Sequence, residues 1–257
     1  LATFGAFAKL SGCVPVVGIV SGFCFAGNAA LLGCCDVIIA TKNSSIGMGG
    51  PVMIEGGGLG VFKPEDVGPI DIQTANGVVD IEVADDVEAV AVAKKYLYYF
   101  QGPILSWTAG DQLKLRNLIP ESRKRAYNVR TVIKALADTD SFLEIRPKFG
   151  PCMVTGLIRI EGRPFGIIAN NPMHMAGAIE AEGADKVARL MQICNAHGLP
   201  ILSLCDTPGF MVGPEIEKRA QVPHVCRRLP SHRTVFHGCA AQRLWSRRHG
   251  HGQRRIP

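Results

Sequence analysis

Backbone groups, more than side chains, carry the chemistry legible in this sequence. Phe25-Ala26-Gly27-Asn28 follows an apolar run and opens a segment of small, helix-compatible residues. At such a junction two successive N–H groups can point at one oxygen, helped by the helix N-terminus. Gly27 has no Cβ, so a carbonyl or thioester can come close. The same pattern also fits an ordinary strand-to-helix turn that needs a small residue. Gly47-Met48-Gly49-Gly50-Pro51, followed by Glu55-Gly56-Gly57-Gly58, can wall a pocket or form a plain loop. Asp206-Thr207-Pro208-Gly209-Phe210 ends another apolar run, and the exposure cost of Phe210, Met211 and Val212 argues for a ligand-facing turn.

Side-chain catalysis has little support. The sequence contains no GxSxG elbow, HExxH, phosphate-binding P-loop or strand-to-helix GxGxxG. His174 lies in a loop and is a possible functional residue. His197 stands beside Gly198 at an expected helix end and reads as structural. The nine cysteines form no CxxC pair, so no metal site is expected, and a reducing compartment, the cytoplasm, is.

The elements that must hold these turns have a common grammar. Val14–Gly22 and Val37–Thr41 are Val- and Ile-rich without alternation, which predicts strands buried on both faces, with a helix over Ala26–Cys35 between them. Leu157–Asn171 predicts a hairpin turning at Glu161-Gly162. Ala184–Gly198 carries Val187, Leu190, Met191 and Cys194 at helical spacing, with Gly198 as C-cap. Leu199–Asp206 predicts a further buried strand. Asp85–Phe100 has acids first and lysines late, as a helix dipole prefers, and Asn128–Ala137 predicts a short helix. Strands alternating with helices indicate an α/β layer architecture in both halves, with a boundary near Arg116–Pro120.

The chain has 257 residues, 47% hydrophobic and 19% charged, enough for one large or two small domains. Its net charge of +6 is a property of one end. Eight of the 28 Lys and Arg lie between Arg227 and Arg255, and no acid follows Glu217; the remaining 20 cations against 22 acids leave −2. Pro230–Pro257 is Arg-, His- and Gly-rich without apolar periodicity. A one-nucleotide slip of possible codons converts it to RLTVPFFTVVLRKGYGLGAMAMANGGF: a buried strand, a basic turn and a Gly/Ala-rich helix start. The expectation is an out-of-frame tail, with a basic binding arm or an inert remnant as the non-enzyme alternatives. No nucleic-acid partner and no membrane span are expected, and the chain reads as a fragment truncated in front.

SGFCFAGNAALLGCCD, RPFGIIANNPMHMAG and ADKVARLMQICNAHGLPILSLCDTPGFMVGPEIE together resemble the β-type carboxyltransferase subunits of biotin-dependent propionyl- and acetyl-CoA carboxylases. The resemblance runs from Val14 to about Arg227. It departs at Ala26, where relatives commonly carry glycine. It implies a crotonase-like fold occurring twice: an acyl-CoA half (1–117), a carboxybiotin half (118–229), incomplete here, and the out-of-frame tail (230–257). By the resemblance, Ala26 and Gly27 are the thioester oxyanion donors, and Gly49, Gly50 and Pro51 border the acyl side. Asn170, Asn171 and Pro172, with Pro208, Gly209 and Phe210, border the carboxybiotin side. The biotin-side donors, Gly-Ala in the shifted reading, fall near Arg247 and Arg248 and are lost. The implied cofactors are biotin, as carboxybiotin on a carrier protein and not attached here, and coenzyme A within the substrate. The implied partners are acyl-CoA, the biotin carboxyl carrier and biotin carboxylase components, and further copies in a hexamer-type homo-oligomer. A biotin-linked acyl-CoA decarboxylase subunit, or another crotonase-superfamily acyl-CoA enzyme, is the alternative. A hydratase would need paired carboxylates, for which Glu55 and Glu65 are the candidates.

Overall fold

A computed structural model describes residues 2–122, 125–214 and 235–239, the last five as backbone only. The first half is built around β3 (Val37–Thr41), buried at every position. Its parallel neighbours are β1 (Val17–Val20) and β5 (Ile81–Val83), in the order β1-β3-β5. β1 is shorter than the expected strand, and Ile19 is 44% exposed, because an edge strand here has only one covered face. A second parallel pair, β2 (Phe23–Phe25) with β4 (Ser45–Gly47), stands apart from that sheet. Around them lie α1 (Ala2–Ala8), α2 (Gly27–Leu32), α3 (Pro51–Gly56), α4 (Ile70–Ala75) and α5 (Asp86–Tyr98). The N-cap Asp85 accepts the Glu88 N–H at 2.9 Å, which fixes where α5 starts.

The second half contributes α6 (Leu115–Leu118), α7 (Val129–Leu136), β6 (Leu143–Ile145), β7 (Met153–Ile160), β8 (Arg163–Asn170), α8 (Ala181–His197), β9 (Ile201–Cys205) and β10 (Val235–Cys239). The sheet runs β10-β9-β8-β7-β6. β7 and β8 form the expected antiparallel hairpin, with Glu161 and Gly162 both at positive φ, as a tight two-residue turn requires. α8 ends on Gly198 at φ 75°, the left-handed C-cap its sequence position predicts. β9 runs parallel to both β8 and β10. The rest of the expected out-of-frame tail lies outside the described residues.

One apolar core crosses between the halves. Val37, Ile39 and Tyr96 share a cluster with Leu143, Met153 and Leu190. Two buried carboxylates stitch the seam above it. Asp80 accepts the Ile38 N–H at 2.8 Å and the Arg146 Nε at 2.6 Å. Asp36 accepts the Val16 N–H at 2.8 Å and lies 3.2 Å from His197 Nε2. Arg189 of α8 donates to the Cys35 and Asp36 carbonyls at 2.7 and 3.1 Å. Lys186, on the same helix, is 1% exposed and donates to the Met153 carbonyl at 2.8 Å. Burial pulls its amine down to about 8.

Removing one partner of a buried pair leaves the other charge uncompensated, so Arg146→Ala is expected to cost about 3–5 kcal/mol in denaturant unfolding. Lys186 gives a pH signature. Its folded-state pKa lies below the unfolded one, so between the two the unfolded chain binds more protons and stability rises with pH. Relative to Lys186→Met, the wild-type chain is expected to gain roughly 3 kcal/mol as pH rises from about 8 to about 10.5. Chemical denaturation of both proteins across that window checks it.

Candidate functional site

Both groups of candidate residues lie at the carboxyl ends of parallel strand pairs. The first stands where β2 and β4 end, at the paired positions Phe25 and Gly47. The second stands where β8 and β9 end, just past the paired Ala169 and Leu204. In parallel sheets this is where loops open a crevice for ligands.

In the first group the local chain folds tightly. Phe25 ends β2, Ala26 turns, and Gly27 begins α2. Ala26 takes φ 52° and ψ −122°, a conformation glycine adopts freely and alanine only under strain. Its N–H donates to the Gly47 carbonyl at 3.2 Å. That N–H, expected as an oxyanion donor, here joins the two strands. Gly27 and Asn28 are the first residues of α2, so their N–H groups have no intrahelical acceptor, and both residues are exposed. Gly50 packs on the other side of the same turn, where an added Cβ would meet the Phe25 ring at 3.4 Å. Pro51 is the first residue of α3, where a missing N–H costs nothing. The structure thus brings Gly50 against Phe25, with Gly49 and Pro51 as its chain neighbours. Glu55 and Glu65 are both exposed.

In the second group the side chains brace the backbone. Asn170 is 4% exposed; its amide donates to the Gly177 carbonyl at 3.1 Å, and its oxygen accepts the Asp206 N–H at 3.3 Å. Asn171 donates to the Pro151 carbonyl at 2.8 Å and accepts the Met173 N–H at 3.3 Å. Both amides are therefore engaged in holding the loop that contains Pro172. Ile179 donates to the Gly209 carbonyl and accepts from the Met211 N–H, each at 3.0 Å, which ties the Pro208-Gly209-Phe210 turn to the same loop. Phe210 is 52% exposed and Pro208 is also exposed. His174 pairs with Glu180 at 3.0 Å.

One contact had no sequence signal. The Tyr127 hydroxyl donates to Asp206 Oδ2 at 2.7 Å across 79 positions, and burial with the Asp206 bond pushes its phenol well above the ordinary value. A cavity of about 330 Å³ lies elsewhere, lined by residues including Lys95, Tyr98, Trp107 and Arg159. It shares no residue with the turns. There Arg159 donates to the Tyr98, Gly102 and Gly162 carbonyls, which makes the place a joint between the halves. Among the described residues no group of three His, Cys, Asp or Glu is placed to hold a metal ion. No described helix is long and apolar enough to cross a membrane.

Known proteins resemble this arrangement. A family model described as the carboxyl transferase domain matches residues 2–222. The biotin-dependent acetyl-/propionyl-coenzyme A carboxylase beta6 subunit of Mycobacterium tuberculosis is 33% identical over 225 residues, covering 83% of this chain and 46% of its own. The methylmalonyl-CoA carboxyltransferase 12S subunit of Propionibacterium freudenreichii subsp. shermanii is 30% identical over 237 residues, covering 88% and 45%. Among solved structures, a single-chain, multi-domain long-chain acyl-CoA carboxylase superposes with a TM-score of 0.87 at 51% identity, over 91% of this chain and 25% of that one. The hexameric transcarboxylase 12S, solved with hydrolysed methylmalonyl-coenzyme A bound, gives 0.77 at 30% identity, over 86% and 45%. The chain spans about half the length of the curated relatives it matches.

The strained turn yields a test. Ala26→Gly releases a positive-φ alanine, and the gain outweighs the added freedom of the unfolded glycine. It is expected to stabilise the chain by about 1 kcal/mol and raise the melting temperature by about 2–4 °C. Thermal unfolding of the two proteins side by side measures this.

Proposed function

The chain belongs to the carboxyl transferase domain family, with the crotonase-like α/β fold of its relatives, and on that footing we propose that it is part of the carboxyltransferase of a biotin-dependent acyl-CoA carboxylase. The observation that carries this reading is the paired placement of two glycine-containing turns at the ends of parallel strands, the first of them with exposed backbone at the start of α2. Carboxyl transfer of this kind needs developing negative charge on oxygen to be held, and backbone N–H groups do that without side-chain proton transfer.

On the acyl-CoA side, the Gly27 N–H, with that of Asn28 and the start of α2, faces the thioester oxygen and steadies it as the α-carbon loses its proton and enolate charge develops. Gly49, Gly50 and Pro51 border the acyl group. Carboxybiotin, when bound, supplies the carboxyl group and, through its ureido nitrogen, the base for the α-proton. Asn170, Asn171 and Pro172, with Pro208, Gly209 and Phe210, form a rim for its flat ring, the two asparagines by bracing the loop. The described residues contribute that rim and no oxyanion donors for the ureido oxygen; those fall at Arg247 and Arg248 in the tail as it reads here. The partners are a biotin carboxyl carrier, a biotin carboxylase component and further copies of the intact subunit in a hexamer-type assembly. The division into an acyl-CoA half over 1–117 and a carboxybiotin half over 118–229 belongs to the same reading.

Malonyl-CoA or methylmalonyl-CoA formation from free carboxybiotin tests it, using this chain and the chain with the reading RKGYGLGA restored by one nucleotide. The expected result is little or no product from the first and clear product from the second. Equal rates from both, near those of an intact relative, contradict the assignment of the lost donors. No product from either contradicts the carboxyltransferase reading.

A further inference from the structure

Two aromatic rings stand at the Gly27 turn, and one of them is taken up by packing. Phe25 is flanked by glycines: an added Cβ on Gly50 or on Gly47 would meet its side chain at 3.4 or 3.5 Å. Phe4 of α1 is the other. A Cβ on Gly27 would meet the tip of the Phe4 ring, Cζ, at 3.5 Å, and no other atom outside its own stretch of chain within 4 Å among the described residues.

The ring is held there from one helical turn away. Phe7, on the same face of α1, packs on the apolar cluster that contains Ala29 and Leu32 of α2. Phe4 itself lies outside that cluster; it is 38% exposed, and α1 buries none of its residues. The position of the ring is therefore not explained by filling the core. Bond geometry places its tip within about 6 Å of the Gly27 nitrogen. That N–H has no acceptor within α2, and Gly27 is exposed, so water competes for it. A hydrogen bond to an oxygen that gains negative charge is worth more where water is kept out.

We propose that Phe4 is the cover this chain supplies over the thioester: a positioning residue whose ring keeps water from the Gly27 N–H once an acyl-CoA is bound. The inference rests on the carboxyltransferase reading of the Gly27 turn and adds to it what makes that N–H selective. Phe4 thus sets how strongly the turn prefers a ligand with a thioester carbonyl over one without.

Calorimetric titration of the full chain with propionyl-CoA and with S-propyl-CoA, which keeps the coenzyme and lacks the carbonyl, tests this in wild type, Phe4→Ala and Phe4→Leu. Wild type is expected to favour the thioester by about tenfold, and Phe4→Ala to narrow the preference to about threefold or less, through lost propionyl-CoA affinity. Phe4→Leu keeps an apolar cover and is expected to hold the preference within about twofold of wild type. Because α1 buries nothing and alanine and leucine favour helix, the three melting profiles are expected to coincide. An unchanged preference in Phe4→Ala overturns the cover and leaves the Gly27 reading standing. So does an equal loss for both ligands, or a melting temperature lowered by more than about 4 °C, because the ring is then a packing residue. A loss in Phe4→Leu as large as in Phe4→Ala also overturns it, as a contact specific to the aromatic ring. A wild type that binds neither ligand, or shows no preference between them, sinks the Gly27 reading and the cover with it.

Discussion

The buried carboxylate of Asp80 holds the two halves in one frame. One oxygen takes the Ile38 N–H of the central strand β3 and the other takes Arg146, just beyond β6, while the Arg146 N–H returns to the Asp80 carbonyl at 2.8 Å. Three hydrogen bonds thereby satisfy five polar groups around a carboxylate that is 2% exposed. Leaving any one of them alone is costly, so the relative placement of the first sheet and the second is tightly defined. Asp36, His197 and Arg189 repeat the arrangement at the other end of the seam. The same two halves also share one apolar core.

That alignment matters because, in the proposed reading, both candidate turns act chiefly through the shape of their backbone. At the first, β2 and β4 are three residues each and are held together partly by the Ala26 N–H. The strain at Ala26 is the local consequence of starting a helix immediately after a strand that must end at a set point. At the second, Asn170 joins the ends of β8 and β9 to the turn at Gly177, where an added Cβ would lie 2.5 Å from the Asp206 carbonyl. In the proposed reading the first place offers preorganised N–H groups to a developing charge, and the second, among the described residues, offers a braced rim.

The regular elements were readable in the sequence where burial on both faces or helical spacing runs long enough. β3, the β7–β8 hairpin and α8 with its Gly198 cap all stand where apolar runs and turn residues put them. β2 and β4 were not readable, because three residues carry no period. β1 was expected too long, because an apolar run does not reveal which strand is at an edge. The Asp80–Arg146 pair spans 66 positions and leaves no local mark. Among the candidate site residues, Gly27 and the Gly49–Pro51 turn were indicated by residue type, and their assignment to one acyl side by the resemblance alone. That the Ala26 N–H is taken by Gly47, and that Asn170 and Asn171 act as braces, are properties of the packed backbone to which composition is blind.

The central claim is that the Gly27 turn receives the thioester of an acyl-CoA through its backbone. Gly27→Pro addresses it directly. Proline is tolerated at the first position of a helix and removes one N–H while leaving the surrounding side chains in place. Calorimetric titration of a non-reactive acyl-CoA thioether and of the matching thioester, against both proteins with matched melting profiles, isolates that N–H. The account predicts that the substitution weakens the thioester by about tenfold and the thioether, which lacks the carbonyl oxygen, hardly at all. Equal loss for both ligands, or no loss for either, contradicts it.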